Sequence, residues 1–281
     1  SIVALRKRRI AGSSSITSTA VGLGDIGQTL DDQGVGKPQA EDAAATRKTL
    51  EPRLSFAAAG GARLVVLTEM FATGFSLDAE AVVEAPDGPS VAWMHDQATT
   101  LGCWIAGSLP IDTSTGRPRN RLVVAGPDGT ETTYDKRHPF SFGREPDVYD
   151  PGDDLATVEI DGMVWGLTVC YDLRFSYDYW SRATEVDGYL VVANWPRPRR
   201  EHWRALLRAR AVENLAYVVG VNRVGTDGNQ LDYAGDSAVI SPNGEVLAEA
   251  SERQAVLLVD IDPGATAATR ERFGFLADRR D

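Results

Sequence analysis

Glu69, Lys136 and Cys170 each stand where an apolar or β-branched run gives out: "RLVVLTEMF" carries the glutamate, "TTYDK" the lysine and "GLTVC" the cysteine. A carboxylate, an ammonium and a thiol brought to one place make a kit for acyl transfer. The carboxylate takes the thiol proton, the sulfur attacks a carbonyl or nitrile carbon, and the ammonium stabilises the resulting oxyanion. The same ammonium is expected to help depress the pKa of the cysteine. Each residue also has a plainer reading. A cysteine after a β-branched run often only fills a core, and Glu69 and Lys136 could be solvated charges at strand ends. Lys136 gains weight from its background. Of the 29 basic residues only four are lysines, and beyond Lys48 it is the only one. Arginine keeps its proton and presents a planar fork, whereas lysine is a compact donor with an adjustable pKa. A lone lysine among arginines hints that its chemistry is required.

Such side chains need rigid carriers, and the pattern supplies them. Buried strands are expected at 63–71, 103–110, 121–130, 158–170, 189–196 and around "YVVGVNRVG" and "AVLLVDID". The Ala-rich stretch before Gly60 and Gly61 has helical spacing. In "REHWRALLRARAVENLA" the apolar positions 203, 206, 207, 211 and 215 form the stripe of an amphipathic helix. Turn signals at 127–129, at Asp161-Gly162 and at Asn243-Gly244 read as hairpins. Strands alternating with helices, interrupted by hairpins, imply an α/β fold with mixed sheets rather than a purely parallel doubly wound one. Side chains at strand exits face loop-lined pockets, where such folds commonly build active sites. The polar stretch from 11 to 39 gives no clear strand, and "RERFGFLADRRD" reads as a tail on the surface or on a partner.

Bulk properties exclude several classes. With 281 residues, 43% of them hydrophobic, the chain can build a full core. A net charge of −11 argues against a nucleic-acid partner. No apolar run is long enough for a membrane span, and basic residues following a very short apolar stretch do not make a secretory signal. Two cysteines, Cys103 and Cys170, are too few for a disulfide framework and suit a reducing, cytoplasmic setting. The histidines His95, His138 and His202 are far apart in sequence and form no metal-ligand spacing, so no metal and no cofactor is expected. No G-x-S-x-G elbow is present, which argues against a serine hydrolase.

Three ordered motifs carry a family resemblance: "LVVLTEMFATGFS" around Glu69, "YDKRHPFSFGRE" around Lys136 and "GLTVCYDLRF" around Cys170. With "ANWPRPR", "LLRARAVENLAYVVGVNRVG" and "YAGDSAVISPNGEVLAEA", the chain over roughly residues 42–276 resembles the nitrilase superfamily of carbon–nitrogen hydrolases, most of all its omega-amidase branch. The resemblance implies an α/β, αββα four-layer sandwich (nitrilase-like) with mixed sheets. It implies one carbon–nitrogen hydrolase domain over 1–281, with 1–40 left unassigned, and protomers that pair as a homodimer or higher homo-oligomer. It also implies a catalytic triad: Glu69 as general base and acid, Lys136 as oxyanion donor, and Cys170 as the nucleophile that becomes a thioester. Tyr171 would supply a second oxyanion donor through its backbone N–H, and Glu145 would position the lysine and the substrate. Two departures stand out. Thr68 occupies the place where the family has proline before the base, which predicts a changed turn and a retained base. The family's first strand, which begins almost at once, is not recognisable in residues 1–40.

The resemblance assigns Arg174, four residues past the cysteine, to the far carboxylate of the substrate, which a two-pronged guanidinium fits. The competing role for Arg174 is a salt bridge to Asp172 or Asp178. Trp195 and Phe140 are expected in the pocket wall. The implied substrate is a small-molecule amide, a dicarboxylate mono-amide such as 2-oxoglutaramate or 2-oxosuccinamate, cleaved to acid and ammonia. The same triad serves nitrile and N-carbamoyl amino acid hydrolysis. A Cys–His hydrolase using His138 lacks a visible third group to orient the imidazole, and a non-catalytic small-molecule-binding relative remains a reading from a different class.

Overall fold

A computed structural model describes residues 1–7, 18–22, 42–114 and 116–280, of which 18–22 are described as backbone. Strand alternation sets its layers. In β1 (Ile2–Lys7), Val3 and Leu5 enter one apolar cluster while Ile2 and Ala4 enter another, because successive side chains of a strand point to opposite faces. The same split runs through β3 (Leu64–Val66), with Leu64 and Val66 on one side and Val65 on the other. A sheet buried on both faces must be covered on both, and this one is.

The first sheet follows the order β2-β14-β1-β3-β4-β5-β6. It also contains β2 (Ser18–Gly22), β4 (Trp104–Ile111), β5 (Arg119–Ala125), β6 (Glu131–Asp135) and, from the far end of the chain, β14 (Ala255–Ile261). The second sheet is made of β7 (Thr157–Ile160), β8 (Met163–Val169), β9 (Gly188–Ala193), β10 (Tyr217–Asn222), β11 (Val224–Thr226), β12 (Asp232–Ile240) and β13 (Val246–Ser251). Its order is β11-β12-β10-β9-β8-β7, with β13 paired to β12. Parallel pairs (β1 with β14, β3 with β4, β8 with β9, β9 with β10) sit beside antiparallel ones, so both sheets are mixed. The expected hairpins join β5 to β6, β7 to β8 and β12 to β13.

Helices close the outer faces. α1 (Ala43–Ala59) begins where the Asp42 side chain accepts from the N–H groups of Ala44 and Ala45, a side-chain N-cap. With α3 (Pro89–Leu101), it places Leu54, Ala57, Met94 and Ala98 on the first sheet. Short α2 (Ala79–Val82) and α4 (Ser176–Trp180) lie in the connections. α5 (Arg200–Asn214) lays Trp203, Leu207 and Ala211 on the second sheet. The layer order is helix, sheet, sheet, helix: the expected four-layer sandwich.

Several expectations change in detail. β1 is the first strand after all, starting at the second residue; it pairs in parallel with β14 and antiparallel with β3. Its apolar stretch is short and runs straight into basic residues, which hid it. Residues 8–17 and 23–41, most of the polar N-terminal stretch, lie outside the described residues. The run 63–71 is a strand only to Val66, because the chain then turns to aim Glu69. The C-terminal segment, expected as a tail on the surface or on a partner, is an ordered helix and turn on the chain's own fold. α6 (Ala265–Phe273) and a turn at Phe275–Asp278 pack on the fold, with Arg270 donating to Val186 O at 2.7 Å and Leu276 buried against Ala183 and Leu215.

Candidate active site

Glu69, Lys136 and Glu145, drawn from three segments, form one buried hydrogen-bonded cluster. Lys136 Nζ donates to Glu69 Oε1 at 2.9 Å and to Glu145 Oε1 and Oε2 at 3.1 and 2.8 Å. All three side chains are 1% exposed or less. Asn120, on β5, donates its amide N–H to both acids, at 2.8 Å to Glu69 and 3.2 Å to Glu145. The other oxygen of Glu69 accepts from the Asn194 backbone N–H at 2.8 Å, and the Asn194 side chain holds the Glu69 carbonyl at 2.9 Å. Glu145 Oε2 accepts from Phe140 N–H at 2.6 Å. Cys170 lines the same cavity as Glu69 and Lys136.

The backbone bends at each of these points. Met70, directly after Glu69, has φ 41°, Arg144, directly before Glu145, has φ 61°, and Cys170 itself has φ 49°. Non-glycine residues held in this left-handed region cost about 1–3 kcal/mol each and persist only where surroundings enforce them. At Glu69 the enforcement is visible: Met70 N–H donates to Ser108 Oγ at 2.9 Å and Phe71 N–H to Ser108 O at 3.1 Å. The Thr68 carbonyl accepts from Ser108 N–H, and the Glu69 side chain still points at Lys136. Lys136 leaves β6 with its N–H donating to Asn120 O and its carbonyl accepting from Gly152 N–H, both at 2.9 Å. Gly152 must be glycine there, since a Cβ would sit 2.2 Å from the Asp135 carbonyl oxygen.

Cys170 opens a short 3₁₀ turn, Cys170–Arg174, at the end of β8. Asp172 ties this turn to the lysine segment. It accepts from Val169 N–H at 2.9 Å, Tyr134 Oη–H at 2.8 Å and His138 N–H at 3.0 Å. Burial, only partly offset by these donors, pushes its carboxyl up from 3.8 to about 6. Tyr171 follows the cysteine at the start of the turn, where N–H groups have no acceptor within the helix itself.

Electrostatics divide the roles. Burial alone would lower Lys136, but Glu145 and then Glu69 hold its pKa well above the ordinary lysine value, so the ammonium is permanent. At Cys170 the expected pull of the ammonium is present but outweighed. Lys136 does pull the thiol down, yet burial first and the Glu69 carboxylate second raise it well above the usual thiol value. The resting pair is a thiol facing a carboxylate, which calls for a general base and not for a preformed thiolate.

The cavity holds about 560 Å³, within the range of small-molecule sites. It brings in the other expected residues, for Phe140, Tyr171, Arg174 and Trp195 all line it. The Arg174 guanidinium lies 4.8 Å over the Trp195 ring and 5.9 Å from that of Tyr171. Its contact is His202 Nδ1 at 3.1 Å, and no salt bridge to Asp172 or Asp178 forms. Asp178 is engaged by Arg137 and by His138 Nε2, the latter at 2.8 Å. Asp178 is thus the orienting carboxylate that His138 lacked in the sequence, but this pair stacks on Phe175 and does not line the cavity. The three histidines pair separately, with Glu131, Asp178 and Arg174.

Asn120 and Asn194 had no role assigned from sequence, and Asp172 was named only as a competing partner for Arg174. Asn194 and Asp172 stand inside the quoted motifs, two residues from Pro196 and from Cys170. Asn120 carries no local signal, because its position depends on where β5 runs.

Comparison with known proteins supplies the family. Residues 33–271 match the carbon-nitrogen hydrolase family. Omega-amidase YafV of Escherichia coli K12 is 45% identical over 215 residues, 76% of this chain and 82% of that protein. The 2-oxoglutaramate amidase of Bacillus subtilis is 32% identical over 225 residues, 78% of this chain and 85% of that one. Among solved structures, XC1258 of Xanthomonas campestris, described as a CN-hydrolase superfamily protein with an arsenic adduct in the active site, superposes with a TM-score of 0.82. It is 43% identical, with 88% of this chain and 95% of that chain covered. The sandwich, the ordered motifs and a match across most of the sequence lead to one conclusion: this chain belongs to the carbon–nitrogen hydrolase family.

Proposed function

We propose that the protein is an omega-amidase, hydrolysing small dicarboxylate mono-amides such as 2-oxoglutaramate or 2-oxosuccinamate to the acid and ammonia. The observation that carries this is the Cys170 thiol set against a Glu69 carboxylate that Lys136 and Asn194 immobilise, in a cavity that Arg174 also lines. Glu69 removes the thiol proton as sulfur attacks the amide carbon. Lys136 and the Tyr171 N–H stabilise the oxyanion. Collapse breaks the C–N bond, Glu69 returns the proton to the leaving nitrogen, and ammonia departs from a thioester. Glu69 then deprotonates water, which attacks the thioester; the acid leaves and the thiol is restored. Water is the sole co-substrate. Glu145 holds Lys136 in place, Arg174 takes the far carboxylate, and Phe140 and Trp195 shape the walls.

The whole chain acts in this reading as one domain, assembled as a homodimer or higher homo-oligomer in the cytoplasm. The two free cysteines fit that compartment. The test is ammonia release by purified protein across omega-amide acids, nitriles and N-carbamoyl amino acids. Omega-amide acids should lead; a clear preference for simple aliphatic amides, nitriles or carbamoyl substrates would overturn the assignment.

A further inference from the structure

Arg199 is a half-buried guanidinium on the same cavity. Its neighbours in sequence are neutralised: Arg197 and Arg200 share Glu252 at 2.7 and 2.9 Å, and Arg200 also holds Asp236. Among the described residues no carboxylate pairs with Arg199 or with Arg174, although the chain carries 40 acids. The acids on the cavity are otherwise engaged or exposed. Glu69 is held by Lys136, and Asp227 accepts from Tyr233 Oη–H and the N–H groups of Asn229 and Leu231. Asp78 is exposed.

The two arginines are joined through aromatic rings. Arg199 lies 5.1 Å over Phe140, whose ring is 5.0 Å from that of Tyr171. Arg174 lies over Tyr171 and Trp195, and Trp195 Nε1–H donates back to the Arg199 carbonyl at 2.8 Å. Two cations without acid partners, fixed on one ring of side chains around a cavity, form a receptor for an anion with more than one acceptor group.

We infer that Arg199 is a specificity-determining residue that, with Arg174, clamps the 2-oxo carboxylate end of the substrate. The inference rests on the omega-amidase reading and deepens it. A 2-oxo acid presents three oxygen acceptors at one end. One guanidinium satisfies the carboxylate as a fork, and the second reaches the oxo oxygen beside it. An α-ammonium at that carbon would bring donors and positive charge against two guanidiniums. The clamp therefore disfavours glutamine and asparagine while accepting their 2-oxo counterparts.

The experiment compares kcat/KM for 2-oxoglutaramate, glutaramate and glutamine in wild type, Arg199→Met and Arg174→Met. In Arg199→Met, 2-oxoglutaramate should lose about tenfold or more, chiefly through KM. Glutaramate, lacking the oxo group, should lose much less, so the two acids converge, and discrimination against glutamine should shrink. Arg174→Met should lower both acids together. An unchanged ratio of 2-oxoglutaramate to glutaramate in Arg199→Met overturns the clamp. If the wild type releases no ammonia from any omega-amide acid, the amidase reading fails by itself. The clamp is then decided by calorimetric binding of 2-oxoglutarate to Cys170→Ala: weaker binding with Arg199→Met added upholds it, and equal binding refutes it.

Discussion

At the residue scale, Lys136 lies between two carboxylates with almost no contact with solvent. Removing one partner of a buried ion cluster leaves uncompensated charge, typically at a cost of about 3–5 kcal/mol. Lys136→Ala should therefore lose stability of that order as well as turnover, measurable by urea titration. A variant as stable as wild type would refute that cost. Cys170 offers a cleaner probe, since its truncation strands no charge. Cys170→Ala should abolish turnover and keep the fold, whereas Cys103→Ala, in the core away from the cavity, should keep activity. The raised thiol pKa has a further consequence. In ligand-free enzyme, iodoacetamide labelling of Cys170 should climb steadily as pH rises above neutral, with no plateau near pH 7. A plateau there would reveal a preformed thiolate.

At the element scale, strand ends and turns do the aiming. Gly152 packs on the carbonyl of Asp135, one residue before the lysine. Gly152→Ala should push the Lys136 segment outward and lower kcat while the overall circular dichroism is preserved. Asn194→Ala removes the side-chain grip on the Glu69 backbone. Displacement of a base by about 1 Å can cost on the order of a hundredfold in rate, so kcat should fall more than KM rises. Asp172 links the Cys170 turn to the lysine segment, and its carboxyl is raised from 3.8 to about 6 by burial. A carboxyl raised by folding favours the protonated native state. The stability it contributes is present below the unfolded value and is lost as pH climbs through about 6. Wild type should therefore lose stability relative to Asp172→Asn between about pH 4 and pH 6. Parallel curves across that window would show that Asp172 titrates normally.

At the scale of the whole molecule, the layers were legible because period-2 burial and the α5 stripe are written locally, as Val3, Val65 and Trp203 illustrate. The meeting of Glu69, Lys136 and Cys170 on one cavity was legible because three motifs stand in order. What escaped depends on distant neighbours. β1 is too short to stand out, and only β14 and β3 make it a central strand. Asn120 and Asn194 gain meaning only when β5 and β9 converge on Glu69. The net rise of the thiol pKa was not legible because proximity to an ammonium is visible in a motif, while burial is not. Assembly belongs to this scale too: light scattering should give a dimer or larger, and a monomer at working concentration would contradict the expected homo-oligomer.

In the proposed reaction the C–N bond of the substrate gives way to a bond to the Cys170 sulfur. Rapid quenching during turnover of 2-oxoglutaramate, followed by mass spectrometry of the peptide bearing Cys170, tests it directly. A transient adduct equal to substrate less ammonia should appear on that sulfur alone, and none in Cys170→Ala. Turnover with no adduct at any quench time, together with an active Cys170→Ala enzyme, would contradict it.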